Sequence, residues 1–279
     1  MRINKDALKA RANNISKESN ISSNVIYNRF FYDAFLSRLA KSQYRENYVL
    51  KGGLYLSSLL GINTRNTMDI DFLARKTKME KDQIVKVIKS ICETEADDGI
   101  LFKVIDVMDI RQDDQYGGFQ VRVIGKLENV RHEFAIDIAT GDPVIPSERN
   151  YEYKCLVTSE TLSLKVYSLE SIISEKLQTI LSRSVANSRS KDYYDLFILR
   201  ETQLDNVDLN MLKKAYKQTC LYRNYSISKV DALTLLDEIG NNQQVKARWN
   251  TYAKKVKYAE GIEFNLVVAD IKEWINDVY

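Results

Sequence analysis

The sequence predicts an α+β fold, with a mixed sheet and its helices in residues 1–160 and a mainly helical lobe in residues 161–279. Three observations carry this. Between residues 66 and 140, apolar residues alternate with polar ones or run in short β-branched stretches broken by glycine and polar turns, the patterning of strands. From residue 168 onward, nearly every segment spaces its apolar residues by three and four, the patterning of helices. With 279 residues, 44% of them hydrophobic, the chain can bury a sizeable core as one large domain or two.

The elements follow in order. Ser22 or Ser23 is a good N-cap for a helix in which Tyr27, Phe31, Phe35 and Leu39 share a face, flanked by Phe30 and Ala34. The stretch YVLKGGLYLSSLLGI reads as a short apolar run, a Gly52-Gly53 turn and a helix ended by Gly61. In TMDIDFLA, acidic and apolar residues alternate as in a strand. Residues 79–95 put Ile84, Val87, Ile88 and Ile91 on one helical face. Runs at 100–110, 119–124 and 132–138 read as a strand meander. Beyond Pro143 and Pro146, the only prolines, a short strand-like stretch around 154–158 is followed by helical periodicity at 168–183, 189–201, 208–221, 228–239, 243–257 and 265–278. No internal repeat or low-complexity tract interrupts this order.

Composition narrows the chemistry. Cys92, Cys155 and Cys220 are odd in number and far apart, the usage of a reducing compartment, and the N-terminus is charged from its second residue with no apolar core. No run approaches the ~18 apolar residues of a membrane span. A cytoplasmic protein without membrane attachment is expected. The single histidine, His132, and the absence of CxxC leave no His/Cys zinc set, and a Ser-His-Asp or Cys-His hydrolase would rest on that one residue. No acid or nucleophile is spaced to use His132, which therefore reads as structural. Catalysis is expected to run on carboxylates, lysines and hard metal ions.

Net charge is only +3, but its distribution is uneven. Residues 1–40 carry 7 Lys/Arg against 3 Asp/Glu, and residues 200–258 carry 11 against 6, whereas residues 66–150 carry 12 against 17. An acidic middle between basic helical flanks suits a carboxylate metal site served by surfaces that hold a polyanion.

The sharpest local feature is Asp69-Ile70-Asp71. On a strand these carboxylates share one face while Ile70 and Phe72 point into the core. Two adjacent acids repel unless a cation lies between them, and oxygen ligands favour Mg²⁺ or Mn²⁺. Gly52-Gly53 stands upstream at a turn into a helix, where backbone amides can approach phosphate oxygens. Asp137 in FAIDIA repeats the apolar-flanked pattern, and Arg65 and Thr67 add a cation and a hydroxyl. In the helical half, Lys176 lies at the edge of a buried face, where its ammonium can be directed into a cleft. Asp192 and Asp195 stand near a helix start, where capping alone would account for them.

Together these strings resemble a known family. GGLYLSSLLGINTRNTMDIDF is similar to the first motif of DNA polymerase β-type nucleotidyltransferases, in the form found in AbiEii/AbiGii-type toxins. SEKLQTIL and SRSKDYYDLF resemble that group's second and third motifs, and the likeness runs from about residue 25 to 200, more loosely to the C-terminus. The resemblance implies a polymerase β-like lobe followed by a helical lobe. It makes Asp69, Asp71 and, more loosely, Asp137 ligands of Mg²⁺ (or Mn²⁺), and Gly52 and Gly53 the turn that grips a nucleoside triphosphate. Arg65 and Thr67 are then nucleotide-binding residues, Lys176 a triphosphate contact, and Asp192 the acidic catalytic residue, with Lys191 beside it. The superfamily's usual Gly-Ser is Gly52-Gly53 here, so a seryl hydroxyl to phosphate is lost.

The activity implied is transfer of a nucleoside monophosphate to an acceptor, by analogy an RNA (tRNA) 3′ end. Such transfer would block translation, in the toxin half of an abortive-infection, phage-defence toxin-antitoxin pair whose cognate antitoxin is a functional partner. The tyrosines of KKAYKQTCLYRNY are candidates for stacking on RNA, or for core packing. A metal-dependent nuclease and a non-catalytic binding module are the rival readings; the Gly-Gly turn and Lys176 argue against the nuclease.

Overall fold

The computed structural model describes residues 3–110 and 117–279, which fall into two compact units: Met1–Gly141 with Arg149–Val166, and Asp142–Glu148 with Tyr167–Tyr279.

The first unit is built on a seven-stranded mixed sheet. It begins with helices α1 (Lys5–Ser19) and α2 (Ser23–Lys41), then β1 (Tyr48–Lys51), α3 (Gly52–Leu60), β2 (Asp69–Ala74) and α4 (Lys81–Glu93). The strands β3 (Ile100–Ile110), β4 (Gly118–Leu127), β5 (Val130–Ala139), β6 (Arg149–Lys154) and β7 (Thr161–Val166) complete it. Strand order is β3-β4-β5-β2-β1-β7-β6. The expected meander forms an antiparallel β3-β4-β5 ribbon, and β2 joins it in parallel alongside β5. One face carries Ile70, Phe72 and Phe134, and the rings of Phe35, Phe72, Phe102 and Phe134 meet there at centroid separations of 6.1–6.5 Å.

Helix α2 is buried from Ile26 to Leu39 on nearly every side, not along one stripe as its apolar spacing suggests. The polar residues on its remaining sides are internally paired. Arg29 donates to Asp33 at 2.9 Å and to Ser57 of α3 at 2.9 Å, and Asp33 also accepts from the Leu156 amide at 2.6 Å and the Tyr153 hydroxyl. Arg38 grips Asp98 through both terminal nitrogens at 2.6 and 2.9 Å. Buried charges persist when paired and hydrogen-bonded in this way.

The strand-like stretch expected around 154–158 is instead the turn of a hairpin. The Cys155 amide donates to the Glu160 carbonyl at 2.8 Å, and the strands flank it as β6 and β7. β6 lies at a sheet edge, and its exposed Arg149, Asn150, Glu152 and Lys154 dilute the alternation that would reveal it. His132 stacks on Phe134 and tilts against Phe31 and Tyr32, and burial lowers its pKa against the opposing pull of Glu133, in keeping with a packing role.

The second unit is helical: α5 (Leu169–Arg183), α6 (Ser190–Gln203), α7 (Leu209–Tyr222), α8 (Lys229–Asn241), α9 (Gln243–Lys255) and α10 (Phe264–Val278). Side-chain caps open four of these at Ser168, Asp208, Ser228 and Asn242. Trp249 and Trp274, both fully buried, centre its core. Of the tyrosines in KKAYKQTCLYRNY, Tyr216 is core and Tyr222 and Tyr225 are half-buried, so packing accounts for the first. All three cysteines are free, and burial pushes the Cys92 thiol up to about 12. No helix among the described residues is long and apolar enough to cross a membrane.

Candidate active site

In the first unit the sheet register assembles the carboxylates. β2 exposes Asp69 and Asp71 on the face opposite the aromatic core, while Ile70 and Phe72 are 0% and 1% exposed on the other. Its parallel pairing with β5 sets Asp71 directly beside Asp137, and its antiparallel pairing with β1 sets Lys51 on the other side of Asp71. Directly opposed residues share a face with Cβ atoms about 4.5–5.5 Å apart. A transverse row therefore runs Lys51, Asp71, Asp137 and Gln120, and Gln120 Nε2 donates to Asp137 Oδ1 at 2.8 Å. Lys51, only 7% exposed, was missed by sequence reading. Its single available signal is its place directly before Gly52-Gly53, and the register that sets it against Asp71 is tertiary.

The glycine pair is bound to this row sterically. Gly52 has φ +65°, and a Cβ there would stand 2.1 Å from Asp71 Oδ2. A Cβ on Gly53 would stand 2.6 Å from Thr67 Oγ1 and 3.3 Å from Arg65 Nη2. The 61–68 loop makes the second approach by folding back, with the Thr64 and Arg65 amides both donating to the Gly61 carbonyl at 3.0 Å. Arg65 is buried and its Nη1 donates to the Asn66 carbonyl; Thr67 Oγ1 accepts from the Asp69 amide at 3.4 Å. Gly52, Gly53, Arg65, Thr67, Asp69, Asp71 and Asp137, all expected from sequence, are thus brought together at the start of α3. The lost seryl hydroxyl is not replaced from the same helix: Ser57 is held by Arg29, and Ser58 pairs with Tyr151 at 3.1 Å.

Gly52→Ala should therefore fail twice, through the left-handed backbone and the carboxylate overlap. The expected cost is about 1–2 kcal/mol of stability and, on the role the sequence resemblance implies for this turn, a loss of nucleotide transfer on the order of 100-fold. Urea unfolding and a transfer assay read the two effects separately, and an alanine variant with wild-type activity would mean that the Asp71 carboxylate can move freely.

The second unit holds a different cluster. Lys176 Nζ lies 2.7 Å from Asp192 Oδ1 and 2.8 Å from Asp195 Oδ2, and Arg189 Nε lies 2.8 Å from Asp192 Oδ2. Asp192 and Asp195 occur at i and i+3 of α6 and are buried, so they point at Lys176 and do not act as simple helix caps. Burial alone would push Lys176 down and Asp192 up. The ion pairs outweigh it, holding Lys176 above and Asp192 below their ordinary values. Lys176 is thus held between two carboxylates, with Lys191 in the same first turn of α6 as Asp192. From sequence Asp195 carries only a capping role; its part in the cluster follows from its helical spacing to Asp192.

Hard oxygen donors on one face fit a divalent cation through Asp69 and Asp71, with the Gly52 cradle fixing the Asp71 carboxylate. Among the described residues no group of three or more metal-type side chains is gathered into one ligand set.

A family model described as the nucleotidyl transferase AbiEii toxin of a type IV toxin-antitoxin system matches residues 34–270. No curated protein matches the chain. Two solved Helicobacter pylori structures are similar in fold. One, a proposed nucleotidyltransferase, shares 17% identity at a TM-score of 0.52 over 92% of this chain and 96% of its own. The other, JHP933, shares 16% at a TM-score of 0.53 over 92% and 93%. The family match spans both the Asp69/Asp71 strand and the Lys176 cluster, and this chain belongs to the AbiEii nucleotidyl transferase toxin family, as a nucleotidyltransferase of a type IV toxin-antitoxin system.

Proposed function

We propose that this enzyme transfers a nucleoside monophosphate from a nucleoside triphosphate to the 3′ hydroxyl of an RNA, with tRNA the leading acceptor, and so arrests growth in abortive phage defence under the control of its antitoxin. The observation that carries the nucleotide half of this reading is the Gly52-Gly53 turn, packed without side chains against Asp71 and Thr67.

The chain's residues divide the work. The amides at the start of α3 bind phosphate oxygens that only glycine lets approach, and the helix N-terminus adds its dipole. Arg65 and Thr67, against Gly53, supply a cation and a hydroxyl to the same phosphates. Asp69 and Asp71 would hold Mg²⁺ or Mn²⁺, with Asp137 the neighbouring carboxylate. When bound, the metal offsets phosphate charge and lowers the cost of in-line attack by the acceptor hydroxyl. Lys176, Lys191 and Asp192 belong to the same reading as phosphate-binding and catalytic residues. Held by Asp192 and Asp195, the Lys176 ammonium is a fixed donor. No protein nucleophile is needed.

The test incubates the purified protein with Mg²⁺, each α-³²P nucleoside triphosphate and total bacterial RNA, beside Asp69→Ala. Label should enter an RNA band and pyrophosphate should appear with the wild type alone. Label on polypeptide would move the acceptor to protein. RNA cleaved without pyrophosphate would replace transfer by hydrolysis.

A further inference from the structure

Beside the Lys176 cluster, and sharing Arg189 and Lys191 with the residues already described, the second unit carries a groove of about 590 Å³ lined by Arg189, Ser190 and Lys191 from the start of α6 and by Arg248, Thr251 and Lys255 from α9. Four of its lining residues are cations and none is an acid. On α9, Arg248, Thr251, Tyr252 and Lys255 fall at i, i+3, i+4 and i+7. That spacing ordinarily makes the apolar stripe of a packed helix. Here the stripe is basic and hydroxylated, while Val245 and Trp249 make the buried contacts. Two of its cations are also preset. Arg189, though exposed, is fixed through Nε by Asp192 at 2.8 Å, and Arg248 is anchored by a hydrogen bond to the Val185 carbonyl.

The length of the stripe chooses the occupant. Seven residues at 1.5 Å per residue place Arg248 and Lys255 about 10 Å apart along α9, with Arg189 and Lys191 facing them from α6. Cations distributed over that distance, with hydroxyls between them, match successive phosphates of an extended strand better than one compact triphosphate. Tyr252 is a wall of the groove, since its ring packs on Trp249 at 5.7 Å and on Tyr194 at 6.3 Å.

We propose that the α6–α9 groove binds the phosphodiester backbone of a single nucleic-acid strand. The proposal deepens the transfer reading by giving the acceptor strand a surface, and it rests on that reading only in taking the strand as the acceptor.

The experiment measures binding directly, so that absence of transfer activity cannot be mistaken for absence of the groove's function. Fluorescein-labelled 15-nucleotide RNA and DNA of the same mixed sequence are titrated with the full chain, by anisotropy, between 50 and 300 mM NaCl. The double variant Arg248→Gln/Lys255→Gln is compared with wild type, and Lys255→Gln alone serves if the double variant melts early. Each phosphate contact contributes a slope of about −0.7 in log K against log salt for single strands, so losing two should flatten the slope by about 1.4 and weaken binding about 25-fold near 0.1 M salt. RNA binding tighter than DNA binding would identify the strand as RNA, and equal binding would identify backbone recognition of either. Binding of the four nucleoside triphosphates with Mg²⁺, by equilibrium dialysis, should be unchanged. An unaltered RNA slope in the folded variants would overturn the proposal, as would a loss of triphosphate binding by the same factor, which would make the groove a triphosphate subsite.

Discussion

Asp71→Asn should reduce nucleotide transfer by at least about 10³-fold, equivalent to about 4 kcal/mol of transition-state stabilisation. The substitution keeps the shape that fits against Gly52, where a Cβ would stand 2.1 Å from Oδ2, but removes the charge. On the proposed reading that charge holds the cation that offsets the phosphates, and neither Asp69 nor Asp137 can stand in for it. Asp69 is two residues along the strand, and Asp137 lies one strand away. The variant should keep a wild-type circular dichroism spectrum, because Asp71 lies on the face away from the aromatic core. Incorporation of labelled nucleotide, normalised to folded protein, makes the measurement. Activity within tenfold of wild type would refute the role of Asp71.

Lys176→Met should destabilise the second unit by about 3–5 kcal/mol, the cost of stripping the partner from buried charges. Asp195 is 0% and Asp192 2% exposed, and Met removes an ammonium within 2.8 Å of both. Arg189 remains beside Asp192. The chain's two tryptophans, Trp249 and Trp274, are both buried in this unit, so urea unfolding followed by their fluorescence reports on it selectively.

A triple variant, Lys176→Met/Asp192→Asn/Asp195→Asn, should recover most of the loss, since removing both sides of a buried pair costs far less than removing one. A single-variant loss below about 1 kcal/mol would mean the cluster is solvated and its geometry incidental. The same cluster predicts a pH signature. Asp192 is held below its ordinary 3.8, so its contribution is complete above that value and is lost as pH falls through the lower folded value. Lys176 is held above 10.5, so its contribution is complete below that value and is lost as pH rises beyond it. Between these limits the wild type's pairing term should be flat, and in the triple variant the acid-side decline should be smaller.

The residues that make the site differ in how far ahead of the fold they can be read. The Asp69-Ile70-Asp71 alternation is a local rule, since a period of two puts both acids on one face of any strand that buries Ile70 and Phe72. The Gly52-Gly53 turn into α3 is equally local, because positive φ at Gly52 is a backbone property. Asp137 could be named as another strand acid, but not as the residue beside Asp71. That neighbour is set by parallel pairing of strands more than sixty residues apart, and the same pairing logic brings Lys51 to the other side.

By itself the sequence determined the helices and most strands, through periodicities of 3.6 and 2, and it singled out the acids, glycines and lysines to which the proposed chemistry is assigned. Edge strand β6 escaped it because an edge exposes polar residues and weakens the alternation. Tertiary structure alone decided the partners. It buried α2 on nearly every side by wrapping it in neighbours, turned Asp192 and Asp195 from apparent caps into counterions of Lys176, and lined one groove with cations from α6 and α9. Periodicity along a chain reports which face of an element is apolar, whereas partnership depends on which elements meet, and that is fixed by burial of the whole core.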